Sequence, residues 1–542
     1  MDLRRAVAPD RSTGAAAEAP PARPWGPTAA TVLTSLLVAA LASRPNSPLT
    51  PPLFEGSEAP GFLRAAADAL GLSALPRDVA AAVSAAFLLA AAGAFLYALL
   101  EAWRGRLPLR WVLVVGLGLH VLALLTPLFL SRDVYSYAIY GRMVSVHGVN
   151  PYVDIPAGFA GDPVYPLVSV DWIDSPSVYG PAFSAIAAGV TAVVESPPAI
   201  VLAFKALAVA ASAATMLLVA AAARSIRPER AAFAAALVGW NPVVIFHGAA
   251  GGHNDTLVGL AIAASVLLVL RGRDLWATAI LAVGTLVKVS AGVPLAVVVV
   301  VSVLREPPGR RFRRFALHAA VGLAVGLPFI VPFMQAHDPT LGALELSSRL
   351  GWLAPSRLVL VPLRGAARAL GGDVAGDVVS AIVRVAFPAV FVAVLVGLRR
   401  HLARGPRRIE PLLVVATMGW ATLVAVLISP LLYPWYMAWL VPVVWMLPRP
   451  GRAAAIVLSV ALAVTELVAE PSRSPRVWEA MVFGLHYIVT PVILVVLIRL
   501  LLDLRRRVAL PGGEGWEDPL LIERSPSAQP RAGRRAERAA AT

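Results

Sequence analysis

Residues 131–151 read SRDVYSYAIYGRMVSVHGVNP and follow directly on the apolar run 111–130. That run is long enough to cross a bilayer, which takes roughly 20 apolar residues. Arg132, Asp133 and Arg142 then stand at the membrane surface, interleaved with Tyr135, Tyr137 and Tyr140. A carboxylate held at a helix end acts as a general base when a substrate hydroxyl comes within hydrogen-bond reach. Asp133 is equally placed to cap the helix starting at Val134, since Asp is a favoured capping residue. The tyrosines suit a membrane interface whatever the chemistry. Arg142 is one of few cations expected to face outward, where a guanidinium suits a phosphate or carboxylate ligand.

Further along, GVNPY (148–152) reads as a turn set by Asn150 and Pro151 and anchored by Tyr152. Asp154, Asp162, Asp171 and Asp174 follow, but their spacing matches no calcium loop. No metal site is assigned, although these aspartates leave a divalent cation open. SVYGP (177–181), with Tyr179, closes the loop at a Gly-Pro break. In GWNP (239–242) the Asn-Pro pair interrupts an apolar run. The glycines of HGAAGGHND (247–255) let backbone approach a ligand closely. His253, Asn254 and Asp255 then open the next run. Asn254 or Asp255 as a helix cap is the plainer reading, but it leaves two histidines and a broken helix unexplained.

Lys288, in LVKVSAG, is flanked by apolar residues on both sides. An ammonium in a membrane segment is costly and marks a functional site by default; snorkelling from the tip of a short hairpin is the alternative. Lys205 takes the same two readings, with snorkelling preferred. SPLLYPWY (429–436) brings Tyr433, Trp435 and Tyr436 between two runs, with Trp439 just beyond. Aromatic belts produce such stretches, yet two prolines within five residues point to a shaped opening. A sugar ring stacks on such faces and a prenyl chain packs along them.

These residues need rigid elements, and the composition says which kind. Hydrophobic residues make up 58% of the 542, and mean hydropathy is +0.74. Apolar runs recur along nearly the whole chain, the signature of an all-α polytopic membrane protein. The net charge of +15 comes from Lys and Arg gathered in short loops, as the positive-inside bias requires, and does not indicate nucleic acid. Cysteine is absent, which excludes disulfides, thiolate metal sites and a cysteine nucleophile.

Spans are expected near 26–43, 79–102, 110–130, 199–223, 231–248, 255–270, 276–288, 291–304, 315–334, 379–398, 411–430, 434–448, 453–470 and 483–502, about 13 to 14 in all. With the basic clusters inside, residues 131–181 form a long outer loop, and 249–255, 335–377, 431–434 and 470–480 share its side. Residues 182–194 read as a re-entrant or interfacial helix, and the run 275–304 splits at 288–292. Non-helical backbone at depth is tolerated where it lines a protected cavity. The chain divides into a disordered cytoplasmic tail (1–24), a membrane domain (25–502, with 131–181 as its catalytic outer loop) and a second cytoplasmic tail (503–542).

The motifs SRDVYSYAIYGRM with GVNPY, PSVYGPAF, GWNPVVIFHGAAGGHND, GTLVKVSAGVPL and SPLLYPWYMAW occur in this order. Together they resemble the GT-C class of integral-membrane glycosyltransferases, and among them the bacterial polyprenyl-phosphomannose-dependent α-1,6-mannosyltransferases. The resemblance implies a GT-C-like helical bundle with a long first catalytic extracytoplasmic loop and re-entrant or short helices. It implies a multi-pass protein of the bacterial cytoplasmic membrane, with an extracytoplasmic active site and both termini inside. It implies transfer of a sugar, most readily mannose, from a polyprenyl-phosphate donor to a glycan or glycolipid acceptor by a single inverting displacement. Asp133 then takes the position of the general base. Lys288, Arg142, His253 and Asn254 are expected at the donor phosphate. Tyr137, Tyr140, Asn150, Tyr152, Tyr179, Asp255, Tyr433, Trp435 and Tyr436 are expected to line the sugar, acceptor or cleft. No cofactor is required. A lipid or sugar transporter or flippase is the rival reading, since broken helices and an intramembrane Lys suit it too; a ligase using a diphosphate-linked oligosaccharide and an inactive scaffold of the same fold are further ones.

Overall fold

A computed structural model describes residues 24–335, 351–404 and 411–509. Among these residues there is no strand. The α-helices are α1 (Trp25–Ser43), α2 (Gly61–Ala69), α3 (Arg77–Trp103), α4 (Leu109–Leu125), α5 (Asp133–Ser145) and α6 (Pro181–Val193). They continue with α7 (Pro197–Ile226), α8 (Ala231–Gly239), α9 (Asp255–Leu270), α10 (Asp274–Val287), α11 (Gly292–Leu304) and α12 (Arg311–Ile330). The last group is α13 (Pro355–Arg404), α14 (Pro411–Ile428), α15 (Met437–Val444), α16 (Arg449–Leu462), α17 (Pro475–Gly484) and α18 (Thr490–Ala509).

Proline punctuates these helices. It opens α6 and α7, where its missing N–H is no loss. Pro127 follows the last turn of α4, which ends at Leu125, because the residue before a proline is held out of the helical region. Many helices are apolar on all sides, as fits packing among other helices and lipid rather than water.

Seven helical stretches among the described residues are long and apolar enough to cross a membrane, or eight if one bent pair counts as a span. Six further apolar helices are shorter. The protein is therefore an all-α polytopic membrane protein. The expected 13 to 14 spans are reached only by counting those shorter helices. At 1.5 Å per residue, 13 residues rise about 20 Å, short of a hydrocarbon core about 30 Å thick. Several expected boundaries differ. The helix expected over 453–470 ends at Leu462. That expected over 379–398 is part of α13, which begins at Pro355 and carries a break at Gly371 and Gly372. The outer piece 470–480 is helical from Pro475, and α18 continues to Ala509. Residues 336–350 of the expected outer piece, and tail residues 1–23 and 510–542, lie outside the described residues.

The core centres on α7, which packs on α4, α8 and α9, while α15 packs on α9 and α14. Helix α8 bends by 47° at Asn241-Pro242 into a π-helical turn, Val243–Ala250. Such turns recur at functional sites. The bend is fixed by Asn241, whose amide donates to Ser459 Oγ at 2.8 Å and whose oxygen accepts the Val243 N–H at 3.1 Å. Segments far apart in sequence meet at one end of the bundle. Arg132 pairs with Glu470, His253 stacks on Trp435, and Asn150 donates to the Phe333 carbonyl at 3.4 Å.

Candidate active site

Asp133 is the first residue of α5, and Arg132 occupies the N-cap. The carboxylate is thus released from a capping role. The Arg132–Glu470 ion pair and the Tyr135 hydroxyl, which donates to the Pro52 carbonyl at 2.6 Å, pin this end of the helix. The glycine-rich link lands on the same turn. Gly252 has φ +68°, and a Cβ there would lie 2.6 Å from Val134 Cγ2. Only glycine combines that left-handed backbone with that approach.

The close approach brings His253 Nδ1 to 3.4 Å from Asp133 Oδ2. The imidazole lies flat on Trp435, with ring centres 3.8 Å apart, and Trp435 lies flat on Tyr433 at 4.7 Å. His253 Nδ1 thus has Asp133, while among the described residues His253 Nε2 and both side-chain atoms of the Asn254 amide are buried without a hydrogen-bond partner. Buried polar atoms left in this state fit a site that a ligand or water completes. Asn254 does not cap α9 with its side chain. Its backbone N–H points to the Tyr137 hydroxyl at 3.4 Å.

Asp255 is fully buried and receives the Lys288 ammonium at 2.9 and 3.0 Å. Lys288 sits in the break between α10 and α11, with extended backbone. Its ammonium also lies 5.0 Å from the Tyr436 ring centre and 5.4 Å from that of Trp439, within cation–π range. The outer loop docks here through Gly180, whose N–H donates to the Val287 carbonyl at 3.1 Å. A Cβ on Gly180 would fall 2.0 Å from the Leu286 carbonyl oxygen. Lys288 therefore does not snorkel. Nor does Lys205, contrary to expectation: it is buried and donates to the Leu124 carbonyl at 3.0 Å and to that of Thr126. Helix α7 crosses the C-terminal end of α4, where unsatisfied carbonyls attract a cation.

Burial works to raise the Asp133 carboxyl, but His253, Lys288 and the Ser131 hydroxyl outweigh it and hold the group below its usual value. Burial, with Asp133 and Asp255 adding, pushes the Tyr137 phenol well above its usual value. At neutral pH the site thus holds an ionised Asp133 beside a neutral Tyr137. A cavity of about 770 Å³ opens beside Lys288, Tyr436 and Trp439, with apolar walls that include Val293, Phe387 and Phe391.

A family model described as alpha-(1->6)-mannopyranosyltransferase, N-terminal domain, matches residues 53–304. The chain resembles the bacterial α-1,6-mannosyltransferases. It is 28% identical over 347 residues to alpha-(1->6)-mannopyranosyltransferase A of Mycobacterium tuberculosis, a match covering 62% of this chain and 65% of that protein. It is 33% identical over 172 residues to the protein of the same name from Corynebacterium glutamicum, covering 31% of this chain and 34% of the relative. The matched lengths are thus less than two thirds of either relative. No solved structure matches. The family match includes Asp133, His253 and Lys288 and stops before the aromatic stretch at 433–436.

The other expected residues divide. Tyr436 joins the Lys288 cluster, and Tyr179 meets Tyr137 edge-on at 4.9 Å. Tyr140, Asn150 and Tyr152 tie the outer loop together and to its neighbours, α6 and the turn just beyond α12. Tyr140 donates to the Ser175 carbonyl at 2.8 Å, Asn150 Oδ1 accepts the Tyr152 N–H at 3.0 Å, and the Tyr152 hydroxyl meets Ser184 Oγ at 2.8 Å. Arg142 bonds to both oxygens of Asp162, at 3.0 and 2.8 Å, and His147 reaches the same carboxylate at 2.8 Å.

Glu466 was not legible as a site residue in the sequence. It lies in the non-helical stretch just beyond α16, and burial, with Asp133 adding, pushes its carboxyl up to about 8. Its one sequence signal is an acid inside the apolar run AVTELVA. Among the described residues, no group of three or more His, Asp or Glu side chains is arranged to hold a metal ion.

Proposed function

We propose that the chain is an integral-membrane α-1,6-mannosyltransferase that uses a polyprenyl-phosphate mannose donor. The resemblance supports the reaction class. The observation that carries the site is the ionised Asp133 carboxylate near Lys288, the cation at the edge of an apolar cavity. An isoprenoid chain suits the cavity, and its phosphate suits the Lys288 end. The Tyr436 and Trp439 side chains that line the cavity suit contact with a hexose ring.

In this reading Asp133 removes the proton from an acceptor hydroxyl as that oxygen attacks the anomeric carbon. The bond to the phosphate oxygen breaks as the new glycosidic bond forms, and polyprenyl phosphate departs from the opposite face. A β-linked mannosyl phosphate thereby yields an α-mannoside. Lys288 steadies the charge that builds on the leaving phosphate, while Asp255 keeps the ammonium aimed. His253 Nε2 and the Asn254 amide offer their unpartnered polar atoms to the sugar or phosphate. The protein sits in the cytoplasmic membrane with this site facing outward and both termini inside. A glycan or glycolipid is the acceptor.

The test is mannosyl transfer in nanodiscs from radiolabelled polyprenyl-phosphomannose to a short α-mannoside, wild type beside Asp133→Asn at matched expression. Transfer by the wild type, reduced about 10²- to 10⁴-fold in the variant, supports both the reaction and the base. Donor flipping without transfer replaces the enzyme with a transporter. Full activity in Asp133→Asn keeps the enzyme and removes its base.

A further inference from the structure

We infer that Arg384 is a second anion-binding residue of the apolar cavity and receives the phosphate of a chain-bearing phosphate ester there. The inference deepens the donor reading above and rests on it. Arg384 lies in α13 and lines the same cavity as Lys288. So do Phe387, Pro388 and Phe391, three, four and seven residues further on. That spacing is one face of a helix, so the guanidinium shares the face that turns to the cavity.

Arg384 is exposed and lies five residues inside the span expected over 379–398, about 8 Å from its end at roughly 1.5 Å per residue. A cation within an apolar span faces a cavity or a partner and marks function by default. Among the described residues no carboxylate lies within ion-pair distance of Arg384. Lys288, by contrast, is already matched by Asp255. Among the described residues the cavity therefore holds one cation whose charge is balanced and one whose charge is not. Its other walls are mostly apolar and aromatic, with the hydroxyls of Thr285, Ser290, Ser356, Thr422 and Ser429 among them. An anion attached to a long apolar chain meets both requirements, and a guanidinium binds phosphate oxygens two at a time.

The probes are farnesyl phosphate, farnesol and inorganic phosphate, titrated against the full chain in nanodiscs by intrinsic tryptophan fluorescence, since Trp439 lines the cavity. Wild type is expected to bind farnesyl phosphate at least about tenfold more tightly than either of the other two. Arg384→Gln is expected to lose about tenfold or more for farnesyl phosphate, with affinity for farnesol unchanged. Arg384→Lys keeps the charge and is expected to retain the preference for farnesyl phosphate over farnesol, which tests the inference even if the Gln variant fails to fold. Equal binding of farnesyl phosphate by wild type and Arg384→Gln overturns the inference, as does loss of the preference in Arg384→Lys. Inorganic phosphate binding as tightly as farnesyl phosphate overturns it too. Arg384-dependent binding without any mannosyl transfer by wild type leaves this inference standing and removes the enzyme reading. Transfer with a donor KM unchanged in Arg384→Gln does the reverse.

Discussion

Lys288 and Asp255 form an ion pair at 2.9 Å between a break in the helical backbone and the start of α9, thirty-three positions apart in the chain. Asp255 is wholly inside the protein and the Lys288 side chain is 13% exposed. Removing one partner of such a pair strands the other charge and costs about 3–5 kcal/mol, whereas replacing both by apolar groups is often neutral. Lys288→Met is therefore expected to lower the melting temperature sharply. Lys288→Met combined with Asp255→Leu is expected to restore the melting temperature without restoring transfer. Thermal melts in detergent beside the transfer assay separate the two effects. Recovery of activity in the double variant would assign the pair to folding alone.

The pH–rate profile reports on Asp133 and His253. A base held below its usual carboxylate value stays ionised through the mildly acid range, so kcat/KM is expected to be flat there. His253→Gln removes a group that lowers the Asp133 carboxyl and leaves the burial that raises it. The acid limb of the variant is then expected to move to higher pH, with lost activity regained as pH rises. An acid limb that stays in place in His253→Gln would uncouple the two residues.

Glu466 links pH to stability. Its carboxyl is raised from 4.5 to about 8 in the folded protein. Between those values the folded state binds more protons than the unfolded state, so this group's contribution falls as pH rises from the lower value to the upper. Glu466→Gln removes that loss. The variant is expected to melt above wild type at about pH 9 and to match it near pH 4, a difference that thermal melts across this range measure. Parallel curves at every pH would show that Glu466 does not titrate in this window.

Arg142 and Asp162 form an anchor within the outer loop. Asp162 is buried and accepts from Arg142, from His147 and from the Val164 N–H at 2.9 Å. Arg142→Gln is expected to lower stability, because a buried carboxylate loses its cation, while the KM for the lipid donor stays near that of wild type. A donor KM raised as far as in Lys288→Met at equal stability would return Arg142 to the phosphate site.

Part of this was present in the chain before any folding was considered. Recurrent apolar runs and Arg-rich loops determine a polytopic helical membrane protein, because a bilayer admits few other ways to satisfy the backbone. Asn241-Pro242, the glycines of 248–252 and Lys288 mark irregular backbone through local chemistry alone, and each break occurs there. Asp133 stood out as an acid next to an apolar run. What each polar group meets is a different matter. Arg142 reads as an outward cation until Asp162 is found against it. Lys205 reads as a snorkelling chain until the α4 carbonyls receive it. Nothing in the sequence sets Glu466 near Asp133 or Arg384 in the cavity. Local patterns decide where helices start, stop and bend. The partner of a charge is decided by which helices pack side by side, and that depends on long-range closure of the chain, to which no single stretch of sequence holds the key.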